Sequence, residues 1–157
     1  MNNNPSKFQD GWSAGLRPVE SISFNDVQLF LKRLNNEYQE FIGFKGIWRL
    51  PTEAEWEYLA RGGEEHLYAG SNDIDEVVYS HLDSPRRDCA YTDKISHIER
   101  TPFPVGLRKP NGFGLYDMSG NVWEMVWDRY GNYPTSAVTD PVGPPMCELS
   151  VPKARRL

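Results

Sequence analysis

Residues 111–128 read NGFGLYDMSGNVWEMVWD and combine two turn-forming groups with an alternating run of large side chains. Asn-Gly at the start of the stretch and Ser119-Gly120-Asn121 in its middle are residues that favour turns. Val122 to Trp127 then alternates in the two-residue period of a β-strand. The pattern predicts two turns that lead directly into a strand.

The two faces of this predicted strand differ in bulk. The bulky side chains share one face, which we expect to be the core side: Trp123, Met125 and Trp127. On the other face, Glu124 lies between Val122 and Val126. A carboxylate in that place requires a cation or a hydrogen-bond donor, because burying an unpaired charge is costly.

The segment from Asp117 to Glu124 is rich in oxygen ligands. It supplies carboxylates at both ends and turn carbonyls and an amide between them. Hard cations such as calcium bind this mixture of oxygens. In the alternative interpretation, Asp117 and Asn121 satisfy backbone groups of the turn and Glu124 pairs with an arginine. Spacing alone favours this structural alternative.

A first helix is predicted after Ser23, which forms a near capping box with Asp26. Apolar side chains then recur at helical spacing on one face, which we expect to pack against a core: Val27, Phe30, Leu31 and Leu34, with Tyr38 and Phe41 continuing it.

A second, short helix is predicted from the capping box Thr52-Glu53-Ala54-Glu55. Trp56, Leu59 and Ala60 form its apolar face, and Gly62-Gly63 supplies residues that commonly end a helix. Ile47 to Leu50, before Pro51, is a short strand candidate.

Composition limits the class of protein. The chain has 157 residues and a formal charge of −5, and no linker divides it, which predicts one domain over residues 1–157. The acidic balance argues against a nucleic-acid partner. No apolar stretch is long enough to span a membrane. The first residues do not resemble a secretory signal, so we expect a cytoplasmic protein by default.

Common catalytic motifs are missing from the sequence. His66, His81 and His97 have no metal-ligand spacing, and Cys89 and Cys147 are not part of a paired Cys or His motif for structural zinc. Glu64 to Arg100 has no clear periodicity, which indicates a loop-rich fold or a segment ordered by a ligand. No catalytic or cofactor-binding residue is predicted.

Two stretches resemble a known family. RLPTEAEWEYLARGG at Arg49–Gly63 and NGFGLYDMSGNVWEMVWD at Asn111–Asp128 are similar to the signatures of the formylglycine-generating enzymes, also called sulfatase-modifying factors. The resemblance covers about residues 4–145 and leaves 146–157 as an unmatched tail. It implies an α+β, loop-rich, C-type-lectin-like fold with two helices and small antiparallel sheets.

The resemblance also implies a structural calcium site. Carried onto this sequence, the site consists of Asp117, the carbonyls of Gly120 and Val122, and the carboxylate of Glu124. This reverses the preference that spacing alone gives, and Asn121 is then expected to brace the turn. The family's other calcium site does not align with Ser80 to His97.

The family enzymes oxidise a sulfatase cysteine to formylglycine with oxygen and copper held by two cysteines. Cys89 and Cys147 match neither copper-binding motif, so copper is not expected in this chain alone. We therefore expect a family domain shortened at both ends, which acts as a calcium-stabilised binding or structural module. The alternatives are a formylglycine-generating oxidase, completed by a partner where needed, and a lectin-like ligand-binding protein.

Partners follow from the same interpretation. A domain shortened at both ends would expose sheet edges, which tend to pair with another chain. We expect a homodimer or exchanged strands, and a protein or peptide ligand for a binding module, with no nucleic-acid or membrane partner.

Overall fold

The computed structural model describes residues 4–11, 13–38, 45–78, 102–144 and 152–155. Cys89, Cys147, Phe41 and the stretch from Ser80 to His97 lie outside these residues. A 3₁₀-helix at Ala14–Leu16 is followed by helix α1 (Phe24–Arg33), a π-helical turn (Leu34–Tyr38), helix α2 (Glu53–Arg61) and helix α3 (Ile74–Val77). Strands β1 (Glu124–Arg129) and β2 (Pro152–Arg155) complete the elements.

The chain divides into two compact units. Unit 1 comprises Met1–Glu20, Tyr58–Trp123 and Arg156–Leu157, and unit 2 comprises Ser21–Glu57 and Glu124–Arg155. None of the helices in the described ranges is long and apolar enough to cross a membrane. Few short elements joined by turns make the loop-rich α+β architecture that the sequence predicts.

Helix α1 begins where its capping residues predict. The Ser23 hydroxyl accepts a hydrogen bond from the Asp26 backbone N–H at 3.2 Å, and the Asp26 carboxylate accepts one from the Ser23 N–H at 2.8 Å. These reciprocal bonds satisfy two donors that the first turn of a helix leaves without partners. No residue of α1 is fully buried, and Phe30 is 50% exposed, so the predicted core face is only partly covered.

The predicted strand at Ile47–Leu50 is wrong, since no regular element forms there. The Asn35 side chain instead bonds both backbone groups of Trp48, donating to its carbonyl and accepting from its N–H at 2.8 Å each. A side-chain amide carries the same donor and acceptor as a peptide group, so it can replace a neighbouring strand at one residue.

Helix α2 begins and ends as predicted. The Thr52 hydroxyl accepts from the Glu55 N–H at 3.2 Å, and the Glu55 carboxylate accepts from the Thr52 N–H at 2.8 Å. Beyond its last turn, Gly62 and Gly63 have φ angles of 61° and 72°, which glycine adopts without steric cost. Gly62 has a second reason to lack a side chain, because a Cβ there would lie 2.8 Å from Cγ of Asn111.

In unit 1, Asn111 closes the end of α2 with a complete set of hydrogen bonds. Its amide nitrogen donates to the carbonyls of Leu59 and Ala60 at 2.7 and 3.0 Å. Its amide oxygen accepts from the N–H groups of Phe113 and Leu115 at 3.0 Å each. Because Asn111 is only 5% exposed, these bonds satisfy helix carbonyls that water cannot readily reach.

In unit 2, β1 pairs with β2 in an antiparallel sheet. Glu124 lies opposite Arg155 and Met125 opposite Ala154, with an irregularity before Arg129. The predicted strand is confirmed but begins two residues later than the alternation suggests. Its partner strand lies in a tail whose mixed composition predicts no element.

The predicted core side of β1 is wrong. Val126 is fully buried, whereas Trp123 and Trp127 are 66% and 44% exposed. The Trp127 ring makes a tilted contact with Phe24, with 6.4 Å between ring centroids. Side-chain bulk therefore misidentifies the buried face, which is the face of Glu124, Val126 and Asp128.

Candidate functional site

The turn at residues 117–121 lies in the second signature stretch and contains two residues in the left-handed region. Asp117 and Asn121 both have φ of 61°, a conformation that Asp and Asn tolerate better than most residues. The Gly120 N–H donates to the Asp117 carbonyl at 3.2 Å and closes the turn. Asp117, Gly120 and Val122, three of the predicted metal ligands, all lie in unit 1.

Asn121 has a structural role in this turn. Its amide oxygen accepts from the Phe103 N–H at 2.9 Å, and its amide nitrogen donates to the Phe103 carbonyl at 3.1 Å. Both ends of the side chain are used, so the prediction that Asn121 braces the turn is confirmed.

Asp117 is different because only one of its carboxylate oxygens has a partner. Oδ2 accepts from the Gly106 N–H at 2.8 Å. Oδ1 is buried and has no hydrogen-bond partner among the described residues. The carbonyls of Gly120 and Val122 also accept no hydrogen bond from any of the described residues. A buried anionic oxygen without a donor is costly, so this turn suits a bound cation.

The fourth predicted ligand, Glu124, is the first residue of β1 and lies in unit 2. Its Oε2 accepts a hydrogen bond from the indole N–H of Trp56 at 2.5 Å. Trp56 is only 4% exposed, so this bond satisfies a buried donor as well as the carboxylate. The hydrogen-bond donor that Glu124 requires between two valines is thus an aromatic side chain of α2.

Across the described ranges, no group of three or more His, Cys, Asp or Glu side chains could hold a metal ion. A cation at the Asp117 turn would therefore depend on backbone carbonyls for part of its coordination. Calcium commonly takes such mixed sets of carboxylate and carbonyl oxygens.

The start of α2 is strongly polarised. Arg49 forms a two-point ion pair with Glu55, with both N–O distances at 2.7 Å. The guanidinium and the Thr52 N–H together lower the pKa of the Glu55 carboxyl to about 2. Both side chains are about half exposed, so water screens the ion pair and limits its contribution to stability.

A cavity of about 520 Å³ lies within unit 2 and was not predicted. The first turns of α2, the end of β1 and the loop of residues 131–144 line it. Asp128, at the cavity wall, is only 4% exposed and accepts a hydrogen bond from the Glu53 N–H. The sequence carried one signal for this residue, because Asp128 continues the Glu124 and Val126 face of the strand.

Family comparison agrees with the two signatures. The model described as the sulfatase-modifying factor enzyme 1-like domain matches residues 2–153. A formylglycine-generating enzyme from Bos taurus is 35% identical over 130 residues, which cover 82% of this chain and 32% of that protein. Chaperone protein LppX from Paenibacillus barcinonensis is 40% identical over 91 residues, covering 54% of this chain and 32% of that protein.

Another relative is named an inactive C-alpha-formylglycine-generating enzyme 2, from Bos taurus. It is 31% identical over 121 residues, which cover 72% of this chain and 33% of that protein. The chain spans about a third of the length of these curated relatives.

Among solved structures, Treponema denticola variable protein 1 matches with a TM-score of 0.71 and 25% identity, covering 98% of this chain and 66% of that chain. The predicted formylglycine-generating-enzyme type of fold, loop-rich and α+β, is therefore confirmed. Since the family model covers nearly the whole chain, this protein belongs to the sulfatase-modifying factor family.

Proposed function

We propose that this chain is a calcium-stabilised scaffold that acts as a binding or structural module. The observation that carries the proposal is the buried Oδ1 of Asp117, which has no partner among the described residues. A calcium ion would supply the missing positive charge, and the carbonyls of Gly120 and Val122 are available as neutral ligands in the same turn. The family resemblance adds the carboxylate of Glu124, two residues further along the chain.

Two relatives support a role other than oxidation. Their names are those of a chaperone protein and of an inactive formylglycine-generating enzyme 2. Membership of the family therefore does not by itself imply catalysis, because function depends on the residues of the site rather than on the fold.

Calcium dependence is tested by thermal melting with calcium and with a chelator. A ligand that binds only the folded state raises its stability, so chelation is expected to lower the melting temperature. Glu124→Gln should abolish this difference, because it removes the charge while its amide oxygen can still accept from Trp56. Glu65→Gln, on an exposed residue of unit 1, is the matched control and should melt like the parent protein. Equal melting temperatures in calcium and chelator would contradict the proposal.

A formylglycine-generating oxidase is the second candidate. It is favoured by the 35% identity to the Bos taurus enzyme of that name. Turnover of a cysteine-containing sulfatase peptide with copper and oxygen would establish this activity and displace the non-catalytic role. A tight copper(I) site that is lost in Cys89→Ser and Cys147→Ser would point the same way.

A lectin-like ligand-binding protein is the third candidate, which rests on the family resemblance of the two signature stretches. For any binding module of this kind, we propose a protein or peptide ligand. We also propose a homodimer or exchanged strands, since a two-stranded sheet such as β1–β2 has edges that can pair with another chain. Light scattering at micromolar concentration tests this, and a monomer would count against it.

A further inference from the structure

The cavity in unit 2 has the size of a small-molecule site. Its volume of about 520 Å³ falls within the range of known ligand pockets. Apolar groups form much of its wall, including Val138, Val142 and the ring of Tyr133. The Tyr133 hydroxyl donates to Oε1 of Glu53 at 2.9 Å, which fixes the ring beside the start of α2.

The charge of the cavity wall is strongly one-sided. Among the described residues, its charged side chains are four carboxylates and one guanidinium: Glu53, Glu57, Asp128, Asp140 and Arg129. The guanidinium of Arg129 lies over the ring of Phe24, 5.0 Å from its centroid, in a cation–π contact. The net negative charge of the wall is complementary to a cation.

Asp128 is a buried carboxylate that the fold satisfies only in part. Its Oδ2 accepts the Glu53 N–H, while Oδ1 accepts no hydrogen bond from any residue in the described ranges. Gly143 borders this second oxygen, and a Cβ at that position would lie 2.7 Å from Oδ1. Glycine at this position thus lets the loop backbone pack closely against the carboxylate, where a larger residue would clash with it.

We infer that this cavity binds a primary ammonium group on an aliphatic stem, with Oδ1 of Asp128 as its ionic partner. A guanidinium prefers two carboxylate oxygens in parallel, whereas an ammonium is a compact point charge. Because the backbone of α2 already occupies Oδ2, the single open oxygen suits an ammonium. Val138, Val142 and Tyr133 would contact the stem.

This inference names a ligand class for the proposed binding module and rests on that proposal. It uses residues of unit 2 that the calcium test does not change. If the ammonium does not bind but calcium still raises the melting temperature, the inference is rejected and the proposed function is not.

The probe is Nα-acetyl-L-lysine N-methylamide, titrated into the ¹⁵N-labelled full chain and followed by amide chemical shifts. We expect saturable shifts at Thr139, Val142 and Gly143 that weaken as salt concentration rises. The norleucine analogue, which has the same stem without the ammonium, should bind about tenfold more weakly or not at all. Cadaverine represents a free amine, and the lysine derivative represents a lysine side chain of a protein or peptide. Whichever of the two binds more tightly identifies the source of the ammonium.

Charge-removing variants locate the partner of the ammonium. Asp128→Asn keeps an acceptor for the Glu53 N–H and should weaken lysine-derivative binding about tenfold. Asp140→Asn, on an exposed residue, should weaken it about twofold to threefold. Glu65→Gln, outside the cavity, should leave the dissociation constant unchanged.

Either of two results would overturn the inference: no saturable shifts at the cavity, or equal binding of the lysine and norleucine derivatives. Unchanged affinity in a folded Asp128→Asn protein would also overturn it. If that variant does not fold, the norleucine comparison and Asp140→Asn decide the outcome.

Discussion

The Asn111 turn and the Asp117 turn lie close together in the sequence, yet their polar side chains are satisfied differently. Asn111 uses its amide in four hydrogen bonds, two donated and two accepted. Asp117 uses one carboxylate oxygen on the Gly106 N–H and buries the other without a partner among the described residues.

This difference separates a structural polar residue from a candidate ligand-binding one. A buried side chain whose bonds are complete stabilises the fold and has nothing left for a ligand. A buried oxygen without a donor is instead destabilising unless something binds it. The same criterion distinguishes Asn121, whose amide makes two hydrogen bonds, from Asp128, whose Oδ1 has no hydrogen-bond partner in the described ranges.

The largest expected effect on stability is at the Asn111 turn. Asn111→Ala should lower the free energy of unfolding by about 3–5 kcal/mol, because it leaves two helix carbonyls and two backbone N–H groups without partners in a buried place. Urea unfolding measures this, and the loss should be equal in calcium and in chelator.

Asn25→Ala is the matched control for that variant, since Asn25 is exposed on α1. It should be neutral or slightly stabilising, because alanine is the better helix former. A loss at Asn111 that appeared only in calcium would break the distinction between the two turns.

The Asp117 turn should show the opposite behaviour. Asp117→Asn is expected to leave stability unchanged or higher in chelator, because it removes a buried unpaired charge. At a calcium concentration one hundred times the dissociation constant, the parent protein should gain about 2.7 kcal/mol and the variant almost nothing. Unfolding curves in both buffers test this, and a calcium gain retained by Asp117→Asn would argue against a cation at this turn.

The smallest effect is expected at a closed network that is exposed rather than buried. The pKa of Glu55 is lowered to about 2, so its contribution to stability is complete above its unfolded pKa of 4.5. This contribution is lost as pH falls from about 4.5 to about 2. Since the pair with Arg49 is half exposed, the free energy of unfolding of the parent protein should be higher than that of Glu55→Gln by no more than about 1 kcal/mol at pH 7.

The pH dependence of that difference is measured by unfolding both proteins from pH 7 to pH 2. The difference should shrink towards zero at the acidic end. A difference that stays constant with pH would mean that the charge of Glu55 does not stabilise the helix start.

Local rules in the sequence predict much of the fold. The capping boxes at Ser23 and Thr52 and the glycines after α2 depend on neighbouring residues, and each prediction is confirmed. The strand at Ile47–Leu50 failed because Asn35, a residue distant in sequence, takes the backbone bonds of Trp48. The predicted core side of β1 is wrong because burial depends on what packs against each face, which alternation alone does not reveal.

The sites divide in the same way. The Asp117 turn could be proposed from spacing and resemblance, because its oxygens lie within one short stretch. The cavity of unit 2 could not, since Glu53 and Asp128 are 75 positions apart and meet only in the folded chain. Alternation places Asp128 on the face of Val126, but side-chain bulk predicted the core on the opposite face and therefore did not mark Asp128 as buried.

A crystal structure grown in calcium tests the central claim most directly. We expect a calcium ion at about 2.3–2.6 Å from Oδ1 of Asp117, identified by its anomalous scattering and absent from crystals of Asp117→Asn. A structure in which Oδ1 is bonded only to water or to another protein group, at saturating calcium, would contradict the account.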